Sequence, residues 1–534
     1  MSIPTKLIIL FLLPLPIYAH VFDVTDHGAT ANDGTNDLPA IQDAIQKAGE
    51  GDIVTFPEGS FTIDNAIMPR SGIVIRGEGD GTIIQSSGNS GHVMVSLSGL
   101  SNVEITALTL EGNNNANIQQ GITASHGSGH FIHHIAIRNL VAGSGFGPHG
   151  IYFQRDVTHS RIEDNDISHI GLASRWGAGM RISKQSSHNR ILRNAISHTG
   201  RGGILCDRDS LNLVIQENTV VGSGGEGLGI EVWGGCANAL IEDNQVDHWL
   251  SIDASDGSAI RRNTISDKSG VFKGHGLELV SSMNCLYTDN ILDDGSAIGI
   301  SISNDGPKNY IYWGYNTIRT CNTWGIQVQG DAGGASFQYF YRNKFLNTYS
   351  AHPKALYKSQ GHGFRFNGNC HYITLDDNEI IDNGGAGIQF SGSDINHLSF
   401  VNNTITGNRG SVITDAPGDN FEWRNNTVSG NGNNTEPASK GFSNQRPTAA
   451  FSCEERVLRG EAVSFTNTSS DPDGSISHVL WDFGQGLPSN TEHPTYTFGE
   501  TGTCRVSLLV WDNKGRGALA EKEVKVVNAL SIEK

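Results

Sequence analysis

Residues 191–196 read Ile191-Leu192-Arg193-Asn194-Ala195-Ile196, and Gly203-Ile204-Leu205-Cys206 follows shortly after. The first element returns as Ile162-Glu163-Asp164-Asn165-Asp166-Ile167, Ile241-Glu242-Asp243-Asn244-Gln245-Val246 and Leu375-Asp376-Asp377-Asn378-Glu379-Ile380. Its Asn falls at 139, 165, 194, 218, 244, 263, 290, 316, 343, 378, 403 and 426. An interval of roughly two dozen residues is one coil of a β-solenoid and too short for most two-helix repeats. The second element also recurs, as Gly150-Ile151-Tyr152-Phe153, Gly179-Met180-Arg181-Ile182, Gly229-Ile230-Glu231-Val232, Gly276-Leu277-Glu278-Leu279 and Gly299-Ile300-Ser301-Ile302. Its apolar residues alternate with variable ones, which sets one side of the strand inward and the other outward. Stacked coils then make parallel sheets with rungs about 4.8 Å apart, and the Asn side chains are expected to hydrogen-bond along the axis at a bend.

An open solenoid end presents unpaired strand edges, so a cap is expected. Asp37 is placed to N-cap a helix that tolerates Pro39 in its first turn, with Leu38, Ile41, Ala44 and Ile45 forming the covering stripe. The 534 residues exceed one ordinary compact domain, and 66 Gly against 15 Pro suit many short strands and turns. Seven Cys spread over this length are no disulfide framework, and none has zinc spacing. Lys6, the apolar run Leu7–Leu13 and the stretch ending at Ala19 read as an export leader too short to span a bilayer. A secreted protein, extracellular or periplasmic, is expected. The net charge of −18 argues against nucleic acid and anionic membranes as partners. A polyanionic sugar needs a local basic patch.

Phe22–Asp37, the helix after it and Phe56-Pro57-Glu58-Gly59-Ser60-Phe61 resemble the start of pectate-lyase-superfamily β-helices. The resemblance implies a right-handed parallel β-helix active on carbohydrate, without choosing among lyases, hydrolases, epimerases and tailspike-like binders. After Gly441 the composition changes. Phe465, Ser470-Asp471-Pro472-Asp473-Gly474, Trp481-Asp482-Phe483-Gly484 and Val506–Asp512 resemble a PKD domain, an immunoglobulin-like β-sandwich, which implies spacing or substrate attachment. The all-β reading is therefore a leader over 1–19, a β-helix over 20–440, a linker over 441–447 and the sandwich over 448–530. Cys453 and Cys504 are either a bridge across that sandwich or ordinary strand residues.

The outward positions form a row of Tyr152, Arg181, Leu205, Glu231, Asp253, Glu278 and Ser301, with Ser251 standing in for the Gly before Asp253. Farther along the strands come Asp207 and Trp233, then Arg155, Lys184 and Arg208. An exposed groove for a chain-like sugar is expected, with a basic patch of Arg155, Arg181, Lys184 and Arg208. The alternative is a solvated row paired with Asp156, Asp207 and Asp209. β-Elimination of a uronate polymer needs a cation on the carboxylate, a base for the carbon acid and a proton donor for the leaving oxygen. Lys184, Arg208 and Tyr152, with Arg181, can supply them. Ile182–Asn189, Asn194 and Gly203–Arg208 resemble the Lys and Arg stretch of chondroitinase B and alginate lyases, which implies Lys184 as base and Arg208 as acid. The acidic calcium ligands expected before the Lys are missing, so no cofactor is required and calcium is left open.

Glu231, Asp253 and Glu278, bordered by Trp233, Trp249 and His275, make a rival hydrolytic site, since carboxylates about 5 or 10 Å apart suit retention or inversion. Gly274-His275-Gly276 resembles a polygalacturonase element, but the paired Asp residues and basic motif of that family are missing. Glu231, Trp233, Asp207, Arg155, Asp253, Glu278 and His275 are the expected substrate contacts, and a metal ligand set is left unassigned. The reading is a monomeric polysaccharide lyase acting on an anionic extracellular polysaccharide. A glycoside hydrolase and a non-catalytic glycan binder are the alternatives.

Overall fold

In the computed structural model the recurring apolar elements each form a short strand, and a typical coil carries three. Residues 19–528 are described, apart from 88–92, 142–145, 173–175, 224–227, 248, 267–273, 294–297, 304, 331–333, 349–360 and 416. The expected leader lies, up to residue 18, outside the described residues. Among the described residues, sixteen strands from Val21–Asp23 to Phe421–Arg424 form a first parallel sheet. Fifteen from Gly59–Ile63 to Thr427–Ser429 form a second, and thirteen from Val93–Ser96 to Ile413–Thr414 a third.

Identical apolar residues stack from coil to coil because every strand repeats its inward phase. Ile162, Ile191, Ile215, Ile241 and Ile260 pair in register down the first sheet, each fully buried. Removing such a side chain from water is worth roughly 1.5–3 kcal/mol, so the column is a main source of stability. At the bend between first and second strands, each Asn Nδ2 donates to the next Asn Oδ1 at 2.9–3.0 Å, from Asn165 through Asn426. Asn139 is not on this ladder. Its coil places Ile135 at the bend, where the Ile135 amide donates to Asn165 Oδ1, and Asn139 turns to Glu111 instead.

The Gly of the second element sits where the second and third sheets meet. A Cβ at Gly203 would lie 2.3 Å from Val220 Cγ1 and 2.8 Å from the Gly229 carbonyl oxygen, so no larger residue fits without displacement. The helix Leu38–Lys47 covers the first coils with Ile41, Ala44 and Ile45 buried and Leu38 packed against the same core. Asp37 stands at its N-cap position but does not cap it with its side chain. Its two carboxylate oxygens accept from the Thr30 and Thr62 amides, both at 2.8 Å, and so tie the cap to the second sheet.

The C-terminal sandwich has a four-stranded sheet, Arg456–Leu458, Gly517–Val527, Gly502–Asp512 and Ile476–Asp482, facing two strand pairs over a core that includes Trp481, Phe465 and Phe498. Cys453 and Cys504 are free thiols. The sandwich lies against the outer face of the first sheet. Ala259, Leu286, Tyr312 and Tyr339 meet Leu480, Leu509 and Trp511 in one buried cluster. Beside it, buried Arg261 donates to Asp482 at 2.7 Å and to the Gly486 carbonyl at 2.6 Å. The stretch expected to be a linker is itself pinned: Arg446 pairs with Asp376 at 2.5 Å and Asn444 donates to Asp512 at 2.9 Å. A connection held at Asn444 and Arg446 does not act as a loose tether.

Candidate active site

The third sheet carries the outward row. Tyr152, Arg181, Leu205, Glu231, Ser251, Glu278 and Ser301 pair in register on consecutive coils, while Ile151, Met180, Ile204 and Ile230 fill the interior. The pleat direction is therefore as the alternation predicts. Two expectations are corrected. Ser251, not Asp253, occupies the row, because the strand Leu250–Ile252 starts two residues earlier in frame than a Gly-based alignment assumes. Asp253 moves to the position following Val232 and Ile252, beside Trp233, and its amide donates to the Val232 carbonyl at 2.9 Å. The row is also not an exposed groove floor: Tyr152 is 8%, Arg181 2% and Glu231 7% accessible.

The cover comes from side chains just ahead of each strand. Phe146 lies over the Arg181 guanidinium at 4.2 Å, 6.0 Å from both the Tyr152 and Trp176 rings. Arg201 sits between Trp176 and Trp233, at 5.1 and 5.6 Å from their ring centroids, and holds Glu231 through three contacts of 3.0–3.3 Å. Sequence reasoning missed Phe146, Trp176 and Arg201. Each directly precedes a Gly at the start of the strand segment, as Phe146-Gly147, Trp176-Gly177 and Arg201-Gly202, and that repeat was the available signal.

Arg181 is not a free cation. It is buried and paired with Asp207 on the next coil, which removes it from the basic patch, while its Nε and Nη1 find no partner among the described residues. Lys184 and Arg208 follow the third-sheet strands on adjacent coils, where the Gln185 amide donates to the Arg208 carbonyl at 2.9 Å. Lys184 is half-buried, and Arg208 and Arg155 are exposed. Burial pushes the Tyr152 phenol up, opposed by the charges of Arg181 and Arg208, so the phenol holds its proton at neutral pH.

His149, also missed, is fully buried 4.7 Å from the Tyr152 ring, with Nδ1 2.9 Å from Gln120 Oε1. Burial, then the charge of Arg181, lowers its pKa to about 3 and keeps it neutral. Toward the other end, Glu278 accepts from Trp249 Nε1 at 2.9 Å and Ser251 Oγ at 2.7 Å, with His275 Nε2 3.8 Å from its second oxygen. Burial raises the Glu231 carboxyl against the opposing pull of Arg201, and burial with the charges of Glu278 and Asp305 raises that of Asp253. Glu231 and Glu278 stand two rungs apart, about 10 Å along the axis. Among the described residues no three His, Cys, Asp or Glu side chains converge as a metal site.

The family described as a right handed beta helix region matches residues 57–246 and 249–435, more than half the chain. The chain belongs to the right-handed β-helix family. This β-helix is followed by a PKD domain match over residues 444–526. A microbial collagenase of Vibrio alginolyticus is 40% identical over 89 residues, 16% of this chain and 11% of that protein, so the chain spans about a tenth of that relative. The A-module of mannuronan C-5 epimerase AlgE4 from Azotobacter vinelandii is 16% identical, covering 78% of this chain and 98% of its own, with a TM-score of 0.32. The tailspike of Escherichia coli bacteriophage HK620 is 11% identical, covering 95% and 92%, with a TM-score of 0.47. No helix among the described residues is long and apolar enough to cross a membrane.

Proposed function

We propose that the β-helix is a secreted lyase cleaving a uronate-containing polysaccharide by β-elimination. The observation that carries this reading is the placement of Tyr152, Lys184 and Arg208 on three consecutive coils, with the Arg208 charge felt at the Tyr152 phenol. Successive coils lie about 4.8 Å apart, so the three groups spread over about 10 Å along the axis, with Lys184 and Arg208 each three residues beyond the position in register with Tyr152. In this reading exposed Arg208 neutralises the substrate carboxylate and acidifies the adjacent carbon acid. Lys184 removes that proton, the bond to the leaving oxygen breaks as the ring double bond forms, and the protonated Tyr152 phenol supplies the oxygen with a proton. The Arg181 and Asp207 pair positions these groups. Secretion rests on the leader pattern ahead of the first coil.

Incubation with alginate, chondroitin and pectate tests the reading. A lyase releases reducing ends together with the ultraviolet absorbance of an unsaturated uronate, and Lys184→Ala and Tyr152→Phe each lose most of that activity. Absorbance undiminished in both variants would remove the assigned roles. A second reading, hydrolysis, is favoured by the raised Asp253 carboxyl next to Glu278. It requires reducing ends without absorbance, lost in Asp253→Asn and kept in Lys184→Ala. Retention of an oligosaccharide with neither signal is the outcome for a binder.

A further inference from the structure

A cavity of about 360 Å³ lies between the first sheet of the β-helix and the docked sandwich, on a different sheet from the candidate active site. Tyr372, His397 and Asn420 of the coils, Phe442 and Asn444 of the connecting stretch and Arg516 of the sandwich line it. Its size is near the lower end of the roughly 300–1,000 Å³ of small-molecule sites. Three separate chain segments build it, so it exists only because the module is docked.

Two wall groups lack partners. Arg516 has a side chain 8% exposed, yet its Nε has no hydrogen-bond partner among the described residues, and neither does the buried Asn444 Oδ1. The two residues are neighbours, since Arg516 Nη1 donates to the Asn444 carbonyl at 2.6 Å. One is a donor without an acceptor and the other an acceptor without a donor. Both atoms are closed to solvent, so a ligand meets them once the wall side chains turn toward it, and a hydroxyl group can then answer either, because it accepts and donates through the same oxygen.

Charge decides against an acidic ligand. Arg516 is already paired with Glu422, and Lys514, also in the wall, with Asp473 at 2.5 Å. An incoming carboxylate would find both cations compensated and would face two fixed carboxylates. Apolar surface is present as well. The Tyr372 ring stacks on Phe337 at 5.0 Å and lies tilted against His397 at 4.7 Å, and Phe442 lies 4.5 Å beneath the Arg516 guanidinium. Hydroxyl-satisfying polar groups beside aromatic rings, without spare charge, suit the mixed faces of an uncharged sugar.

We infer that this cavity between the modules binds a neutral sugar unit, at a place distinct from the candidate site on the third sheet. The inference does not depend on the lyase reading, because its readout is binding. Full-length protein is titrated with methyl mannoside, methyl galactoside and methyl xyloside, with glucuronate and glycerol as contrasts, by calorimetry and saturation-transfer resonance. At least one neutral glycoside is expected to saturate, glucuronate and glycerol are not, and Ser443→Trp and Asn444→Leu each weaken binding roughly ten-fold or more. Ser443 is an exposed wall residue, so filling the cavity from there keeps the test available if Asn444→Leu fails to fold. Absence of saturation by every neutral glycoside, unchanged binding in a folded Ser443→Trp variant, or equal binding of glycerol or glucuronate overturns the inference.

Discussion

Arg181 and Asp207 form an ion pair across adjacent coils whose side chains are 2% and 1% exposed, roofed by the Phe146 ring. A buried pair holds two ions out of water, and its attraction and remaining hydrogen bonds must offset that cost. Deleting one partner strands the other. Asp207→Ala is expected to destabilise the β-helix by about 3–5 kcal/mol, and Arg181→Met combined with Asp207→Leu to recover most of that loss. Urea unfolding of the three variants decides it; a double variant as weak as Asp207→Ala would contradict the account.

Gly203 is confined by contact rather than by backbone angle. Gly203→Ala sets a methyl group against Val220 Cγ1 and the Gly229 carbonyl, and is expected to cost about 1–3 kcal/mol through overpacking. A melting temperature equal to that of the unaltered protein would show that the bend can relax.

The repeating parts of this fold were legible because each coil repeats the same constraint. Ile191 and Asn194 mark an inward column and a bend that recur about ten times, so one misassigned coil, such as that of Asn139, does not alter the architecture. The candidate site was legible only in its direction. Tyr152, Arg181 and Glu231 do share a face, but whether that face is open depends on Phe146, Trp176 and Arg201, which precede the strands and follow no alternation rule. Asp253 was misplaced for a local reason: its coil lacks the Gly that marks the frame elsewhere, and only the pairing of Ser251 with Glu231 and Glu278 fixes it. Of the alternative reading, a solvated row paired with Asp156, Asp207 and Asp209, the structure realises the contact of Arg181 with Asp207 and buries it instead of leaving it in solvent.

Docking of the sandwich covers an apolar patch that a solitary β-helix would expose. Truncation after residue 443 uncovers Leu286, Tyr312 and Tyr339 and leaves buried Arg261 without Asp482. An exposed patch of this kind promotes association, and an unpaired buried cation is costly. The truncated protein is expected to melt at lower temperature and to self-associate, as read by calorimetry and light scattering. A monomeric truncation with unchanged melting would mean that the module contributes nothing to coil stability.

Acid sensitivity follows from the buried imidazoles. His149 titrates at about 3 in the folded chain and His130 and His362 at about 4, against 6.5 when exposed, all three chiefly because burial disfavours the charged ring. Between pH 6.5 and these values the unfolded chain binds more protons than the folded one, so stability rises with pH across that window and is lost on acidification. For His149, fully buried, the separation corresponds to a loss on the order of 5 kcal/mol between pH 6.5 and 3. Glu231 acts in the opposite sense: its carboxyl is raised above 4.5, so its contribution is present at lower pH and declines as pH rises through the raised value. The three imidazoles outweigh the raised carboxyls of Glu231 and Asp253, and the urea midpoint is expected to fall steadily from pH 7 to pH 4. His149→Phe keeps the ring contacts with Phe146 and Tyr152 but cannot bind a proton, so its midpoint should fall less steeply than that of the unaltered protein. Parallel pH profiles for the two proteins would show that His149 is not the group whose protonation unfolds the coil.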